Sequence, residues 1–251
     1  MTSRIYMFDV DGTLTDPRKP IDNDFGNFFE RFCDNHMVYL VSGSDFPKLE
    51  EQLPKSILAK ARGVFCCSAA ELWADGNAIY RLDHEFPKLL IEALDDFVSL
   101  SDYPSRFGNH IEFRTGMLNV SVVGRKADRA ARKAYFEWDQ REGERRKFIE
   151  RFVETFSDYE ASAGGEISID VAPKGWNKSK ALSVVKQDHP GHPITFFGDR
   201  MGPGGNDYPL AEALRADSPN HDIVSVDGFL ETWRHLSLST IPVTRLYRYA
   251  S

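Results

Sequence analysis

The chain has 251 residues, enough for one large domain or two small ones, and on folding it removes roughly 70–75% of its unfolded surface from water without needing disulfides. Lys and Arg total 31 against 38 Asp and Glu, a formal charge of −7, which argues against a general nucleic-acid binder because such proteins present a basic surface. A hydrophobic fraction of 41% with 12% aromatics excludes a disordered chain.

Cys33, Cys66 and Cys67 are an odd set with two adjacent members. They form neither a disulfide framework nor a metal-ligand spacing, and a reducing, cytoplasmic setting is expected. The apolar run Ile5 to Phe8 is too short for a signal peptide. No stretch approaches the roughly 18–20 apolar residues of a membrane span, so no membrane partner is expected.

In chain order, Ile5 to Phe8 reads as a buried strand, followed by a helical pattern through Phe25, Phe28, Phe29 and Phe32. A second apolar run, Met37 to Val41, stops at Ser42-Gly43-Ser44-Asp45. A helix over Phe46 to Leu53 and a third apolar run from Gly63 to Phe65 follow. This alternation predicts a parallel sheet with helices on its faces.

The middle changes character. Ile111 to Arg114 and Met117 to Val123 flank Thr115-Gly116, a two-residue hairpin loop. Arg125 to Phe156 is charged and helical in pattern, broken near Gly143, and Glu166 to Val171 alternates as a strand. The parallel pattern then resumes with a helix near Ser179 to Lys186, the strand Ile194 to Phe197, a helix from Tyr208 and the strand Ile223 to Val226. The fold class expected is α/β: a Rossmann-like parallel-sheet core, 1–82 and 177–251, holding an inserted α+β cap at 83–176. Ser237 to Ser251 carries no motif, and a tail packed on the core is the plain expectation.

The chemistry concentrates at strand ends, where open α/β sheets bind their ligands. Asp9 closes the first strand, and Asp11-Gly12 follows. Gly12 lets the chain turn so that both carboxylates can surround one phosphoryl group. A carboxylate nucleophile forms an acyl phosphate, and a second carboxylate two residues on can shuttle the proton. Ser42 offers a hydroxyl, Lys178 can neutralise phosphate and nucleophile, and Asp199 ends a later strand ahead of Gly204-Gly205-Asn206-Asp207. Oxygen ligands without a His/Cys set suit Mg²⁺ and not zinc. Taken singly, Ser42 reads equally as a helix cap, Lys178 as a surface lysine and Asp199 as a turn residue.

In the insert, the two-residue loop pairs Arg114 with Met117, Phe113 with Leu118 and Glu112 with Asn119. Glu112, Arg114, Asn119 and Ser121 then share one face, and Phe113, Leu118, Val120 and Val122 the other. Ser168 and Asp170 alternate against Ile167, Ile169 and Val171. One face is therefore apolar and packed on helices, while the other is either a sugar-phosphate floor or a solvated surface.

Phe8-Asp9-Val10-Asp11-Gly12-Thr13-Leu14-Thr15, with Ser42, Lys178 and Asp199 in order, resembles the haloacid dehalogenase superfamily. Pro17-Arg18, Ser44-Asp45-Phe46, Glu51-Gln52-Leu53, Ile111-Glu112-Phe113-Arg114, Gly116 to Ser121, Gly164 to Ser168 and Pro203 to Asp207 narrow the resemblance. They are similar to motifs of the α-phosphomannomutase family of eukaryotic type, with its C2b cap. The resemblance implies interconversion of mannose 6-phosphate and mannose 1-phosphate for GDP-mannose biosynthesis, with Mg²⁺ and a hexose 1,6-bisphosphate activator. It implies Asp9 as nucleophile, Asp11 as acid/base, and Asp9, the Asp11 carbonyl, Asp199 and Asp207 around the metal. Gly43 and Ser44 would cradle the phosphoryl group. Arg18, Arg114, Arg125 and Arg132 would hold substrate phosphate, with Asn119, Ser168 and Asp170 on the sugar phosphate. Dimerisation through the cap is implied as well.

The chain departs from the family pattern at Cys67-Ser68-Ala69, Ser42, Asn177 and Val122. A sugar-phosphate phosphatase on the same scaffold is the alternative. A non-catalytic binding module is disfavoured because every catalytic position is filled.

Overall fold

A computed structural model describes residues 4–82 and 84–240. The first half runs β1 (Ile5–Phe8), α1 (Asn23–Asn35), β2 (Met37–Val41), α2 (Phe46–Gln52), α3 (Lys55–Lys60), β3 (Gly63–Cys66), β4 (Glu71–Ala74), β5 (Asn77–Arg81) and α4 (Lys88–Leu100). There follow β6 (Ile111–Arg114), β7 (Met117–Val120), α5 (Arg129–Glu142), α6 (Glu144–Thr155), β8 (Tyr159–Gly164) and β9 (Ser168–Pro173). The chain then runs through α7 (Lys180–Asp188), β10 (Ile194–Gly198), α8 (Tyr208–Asp217), β11 (Asp222–Ser225) and α9 (Phe229–Thr240).

These strands make two sheets, one of seven strands in the order β11-β10-β1-β2-β3-β4-β5 and one of four in the order β6-β7-β9-β8. The first is parallel from β11 to β3. Its central strand β1 is apolar because helices cover both faces. On one side α1 delivers Phe25, Phe29 and Phe32, all buried, at helical spacing. Burying each such ring contributes roughly 1.5–3 kcal/mol. The Asp22 side chain caps α1 by accepting from the backbone N–H groups of Asp24 and Phe25, which satisfies two otherwise orphaned donors. On the other side α7 and α8 contribute Ala181, Leu182, Val185, Leu210 and Leu214.

The parallel-sheet core is the expected one, and beyond it β4 and β5, which the sequence reading did not place, form an antiparallel hairpin on β3. Its loop, Asp75-Gly76, has positive φ at both residues (50° and 73°). That is the conformation Asp-Gly favours in a two-residue hairpin turn, so the signal was present in the sequence. Helix α4 and strand β8 were likewise not anticipated. Strand β9 starts at Ser168, later than Glu166, and β7 ends at Val120. The helical stretch begins at Arg129 behind an Asp128 cap, so Arg125 lies in a loop. Gly143 separates α5 from α6 with a left-handed conformation, φ 65°.

In the four-stranded sheet the register is the expected one: Arg114 faces Met117, Phe113 faces Leu118 and Glu112 faces Asn119. Asn119 in turn faces Asp170. Leu118, Val120, Ile169 and Val171 pack beneath α4 and α6. Phe113 departs from the expected packing and is 63% exposed, because β6 is an edge strand. The expected insert boundary at Asp83 and the tail 241–251 lie outside the described residues, while Ser237 to Thr240 belong to α9.

Candidate active site

The parallel register sets Phe8 beside Phe197, so Asp9 and Asp199 emerge side by side at neighbouring strand ends. Asp207 arrives from the N-terminus of α8 and Lys178 from the turn before α7. One carboxylate oxygen from each of Asp9, Asp199 and Asp207 lies within 4.8 Å of the others. Lys178 is fully buried, and its Nζ donates to Asp9 Oδ1 at 2.5 Å and to Asp207 Oδ1 at 2.7 Å. Asp207 Oδ2 accepts from the Arg200 backbone N–H at 3.1 Å.

Two glycines make this closeness possible. Gly12 has φ +86°, and a Cβ there would stand 2.5 Å from Asp199 Oδ2. A Cβ on Gly198 would stand 2.7 Å from Asp207 Oδ2.

Three carboxylates facing one ammonium leave excess negative charge in a dry place. Burial pushes the Asp9 carboxyl well above its usual range; Lys178 opposes this, and the charges of Asp207 and Asp199 add to it. Burial and the Asp207 charge push Asp199 up to about 6. Burial works against the Lys178 ammonium, yet Asp207 and Asp9 outweigh it and raise its pKa. Asp199 Oδ1 is buried without a hydrogen-bond partner among the described residues. An orphaned buried anion beside two other carboxylates, with no nitrogen or sulfur donor in the group, fits a hard divalent cation such as Mg²⁺.

The Asp11 carboxylate turns toward the cleft. It accepts from the Arg18 backbone N–H at 2.7 Å, from Gln52 Nε2 at 2.9 Å and from Ser44 Oγ at 3.4 Å. Gln52 is buried and also donates to Thr15 Oγ1 at 3.2 Å. Ser42 Oγ accepts from the Ser44 N–H at 3.0 Å, so its oxygen shapes the loop and its proton is free to serve a ligand. The same loop is braced by a turn whose three residues all have positive φ: Cys67 (50°), Ser68 (55°) and Ala69 (69°). Cys67 N–H donates to Ser44 O and Ser68 N–H to Ser42 O, each at 2.9 Å. Residues 67–69 thus hold a left-handed turn without glycine, at a conformational cost of roughly 1–3 kcal/mol per residue. Asn177, another departure, accepts from the Ser179 N–H at 2.9 Å and so shapes the turn that delivers Lys178.

Opposite this centre stands the polar face of the four-stranded sheet. Arg114 Nη1 donates to Gly43 O at 2.9 Å, and Arg125 Nη1 to Ser168 Oγ at 3.2 Å. Asn119 Nδ2 donates to an Asp170 oxygen. Arg114 Nε and Arg132 Nη1 are buried without partners among the described residues. Burial, reinforced by Arg18, Arg114 and Arg132 and opposed by Glu112, brings Arg125 down to about 10. Cations crowded at that cost, with unfilled donors, make a site for a multiply charged anion.

A cavity of about 110 Å³ lies between the two halves, lined by Asp11, Arg18, Ser44, Arg114, Arg125, Arg132, Ser168, Asp170 and Asp199 among others. A wider one of about 570 Å³ shares Arg18, Ser44, Arg114 and Arg125 with it. Gln52, Lys48 and Arg200 belong to this cleft and were given no role from sequence, whereas Glu112 had been placed on the polar sheet face. Arg200 directly follows Asp199, and its Nη1 reaches across to Gly165 O at 3.3 Å. Cys33, Cys66 and Cys67 are buried free thiols, and Cys67 lies in the turn that braces the Ser42–Ser44 loop.

An acidic centre at the ends of parallel strands, with a buried lysine and a second sheet laid across it, defines the haloacid dehalogenase class. Solved structures bear this out at the level of fold. The C-terminal domain of trehalose-6-phosphate phosphatase from C. albicans superposes with a TM-score of 0.65 at 18% identity, over 94% of this chain and 91% of that one. Plasmodium falciparum IMP-nucleotidase gives 0.64 at 12%, over 94% and 68%. The sequence narrows the class further. The eukaryotic phosphomannomutase family model matches residues 25–232. A phosphomannomutase of Galdieria sulphuraria is 34% identical over 94% of this chain and 95% of its own, and phosphomannomutase 1 of Mus musculus 33% over 92% and 91%. The chain belongs to the eukaryotic phosphomannomutase family.

Proposed function

We propose that this enzyme interconverts mannose 6-phosphate and mannose 1-phosphate through phospho-Asp9 and a hexose 1,6-bisphosphate, in the supply of mannose 1-phosphate for GDP-mannose. The observation that carries the reading is the pairing of two phosphate sites across one cleft. Asp9 with Lys178 lies on one side, and Arg114, Arg125 and Arg132 lie on the other. A bisphosphate that must present either end to Asp9 needs both sites, whereas a phosphatase needs one.

Phospho-Asp9, charged first from the hexose 1,6-bisphosphate, gives its phosphoryl group to the free hydroxyl of a bound hexose monophosphate, and Asp11, held by Gln52 and the Arg18 N–H, takes the proton from that hydroxyl. The bisphosphate so formed turns over within the cleft, its far phosphate held by the arginines. Asp9 then recaptures a phosphoryl group from the other end, and Asp11 returns its proton to the departing sugar oxygen, which frees the isomeric monophosphate. Lys178 balances the charge on Asp9 throughout, and positioning supplies most of the rate. Mg²⁺, held by Asp9, Asp199, the Asp11 carbonyl and Asp207, would neutralise the charge on the transferring group when bound. Gly43, Ser42 and Ser44 cradle phosphate, and Arg18, Asn119, Ser168 and Asp170 complete the sugar-phosphate contacts.

In this reading residues 1–82 and 177–251 are the catalytic core and 83–176 the substrate-recognition cap. A homodimer through the cap is part of the same proposal, supported by the apolar groove of Phe97, Trp138, Phe148 and exposed Leu100 on its outer face. A cytoplasmic setting is proposed as well. No helix among the described residues is long and apolar enough to cross a membrane.

Phosphorus NMR of mannose 1-phosphate with Mg²⁺, with and without a hexose 1,6-bisphosphate, tests the assignment. Mannose 6-phosphate supports the mutase. Inorganic phosphate alone supports the phosphatase, and an unchanged spectrum refutes both.

A further inference from the structure

Lys48 sits in the first turn of α2, on the seven-stranded side of the cleft, and Glu112 on β6, on the four-stranded side. Lys48 Nζ lies 2.5 Å from Glu112 Oε1 and 3.1 Å from Asp45 Oδ2. The other Glu112 oxygen pairs with Arg114 Nη2 at 2.8 Å and Arg125 Nη2 at 2.9 Å. Arg114 continues to Gly43 O at 2.9 Å. One connected set of charges therefore runs from α2 through Glu112 to two cleft arginines and back to the phosphate loop.

Burial opposes ionisation of Glu112, but hydrogen bonds from Arg114 and Lys48 and the charges of Arg114 and Arg125 outweigh it and hold its carboxyl at about 2. Glu112 is thus fully charged at neutral pH. At the tip of the same hairpin the two halves touch closely, and a backbone hydrogen bond from Thr115 reaches the Cys67 side chain. A Cβ on Gly116 would stand 2.8 Å from Ala70 Cβ and 2.7 Å from Leu82 Cδ2. The two halves are thus in tight contact at the hairpin tip, and the ion pair joins them again along the cleft that Lys48 and Glu112 line.

We propose that Lys48 is a positioning residue whose ion pair with Glu112 latches the four-stranded sheet over the acidic centre, and so sets the ratio of phosphoryl transfer to sugar against loss to water. The inference rests on the mutase reading above. In the losing step a water oxygen bonds to the phosphorus of phospho-Asp9, and the phosphorus–oxygen bond to Asp9 breaks, leaving its carboxylate. One water proton passes to Asp11, and the other stays on the released phosphate. Neither Lys48 nor Glu112 takes part in that chemistry. They control whether water arrives.

Lys48→Gln removes the cation between the Asp45 and Glu112 carboxylates and leaves them facing one another. Inorganic phosphate released per mannose 6-phosphate formed is expected to rise roughly two- to fivefold, the population change that a partly exposed ion pair governs. Amides of β6 and of residues 43–46 should exchange hydrogen faster in the same variant. Lys48→Arg should restore both, which a general loss of packing would not allow. An unchanged ratio in Lys48→Gln overturns the proposal. If the wild-type protein releases phosphate and forms no mannose 6-phosphate, the mutase reading has failed and the exchange data decide the latch alone. Unchanged exchange then refutes it, and faster exchange reversed by Lys48→Arg upholds it.

Discussion

Replacing Lys178 by methionine removes the one ammonium that faces Asp9 and Asp207 while keeping most of the side-chain volume. The lysine is fully buried, and so is Asp207. Water therefore cannot enter to replace the lost partner without opening the core. Breaking a buried pair of this kind costs about 3–5 kcal/mol. For a chain of this length that lowers the melting temperature by roughly 6–20 °C. The loss should be largest near pH 8, where the carboxylates remain charged. It should shrink on acidification, because Asp9 and Asp199 already favour the protonated form on burial. Mg²⁺ at a hundredfold excess over its dissociation constant should return about 2.7 kcal/mol. Urea unfolding of wild type and Lys178→Met at pH 5.5 and 8, with and without Mg²⁺, measures each quantity. A loss below about 1 kcal/mol at pH 8, or one that grows as pH falls, would refute the charge-balance argument.

Arg125→Ala should raise KM for the sugar phosphate with a smaller effect on kcat, because it deletes an anion contact and leaves Asp9 intact; steady-state kinetics decide this. Gln52→Leu should lower kcat at least tenfold with little change in KM, since Asp11 loses an aligning donor, and retained kcat would show that Arg18 N–H and Ser44 suffice. Gly12→Ala should abolish stabilisation by Mg²⁺ in thermal melts, because its Cβ displaces the Asp199 carboxylate. Without metal, Asp199 has a folded pKa of about 6 against 3.8 unfolded, so the folded form binds the proton more tightly. Its contribution is complete below about pH 4 and is lost as pH rises through 6, on the order of 2–3 kcal/mol. Asp199→Asn should flatten that part of the metal-free stability profile.

The acidic centre was legible in the sequence because it is local. Asp9, Asp199 and Asp207 each sit at a strand or helix end that hydrophobic patterning marks. The β6–β7 hairpin was equally legible, since a two-residue loop leaves one register, and that register put Arg114 and Glu112 on one face. The Asp75-Gly76 hairpin was readable by the same turn rule and was overlooked. Strand β8 was harder, because Tyr159 to Gly164 has little apolar alternation and gains its place by pairing along β9.

What the sequence by itself determined is the chemistry available: which carboxylates, which lysine and which arginines stand at element ends. Secondary-structure period and turn stereochemistry act over a few residues and leave their mark in residue order. Only the tertiary structure decided how those groups meet. Arg125 and Arg132, seven residues apart, converge through a loop and a helix start. Lys48 and Glu112, 64 residues apart, close on one another. Gln52 turns out to hold Asp11 from 41 residues away. Such pairings follow from how two sheets stack across a cleft, a long-range packing outcome that no local spacing encodes.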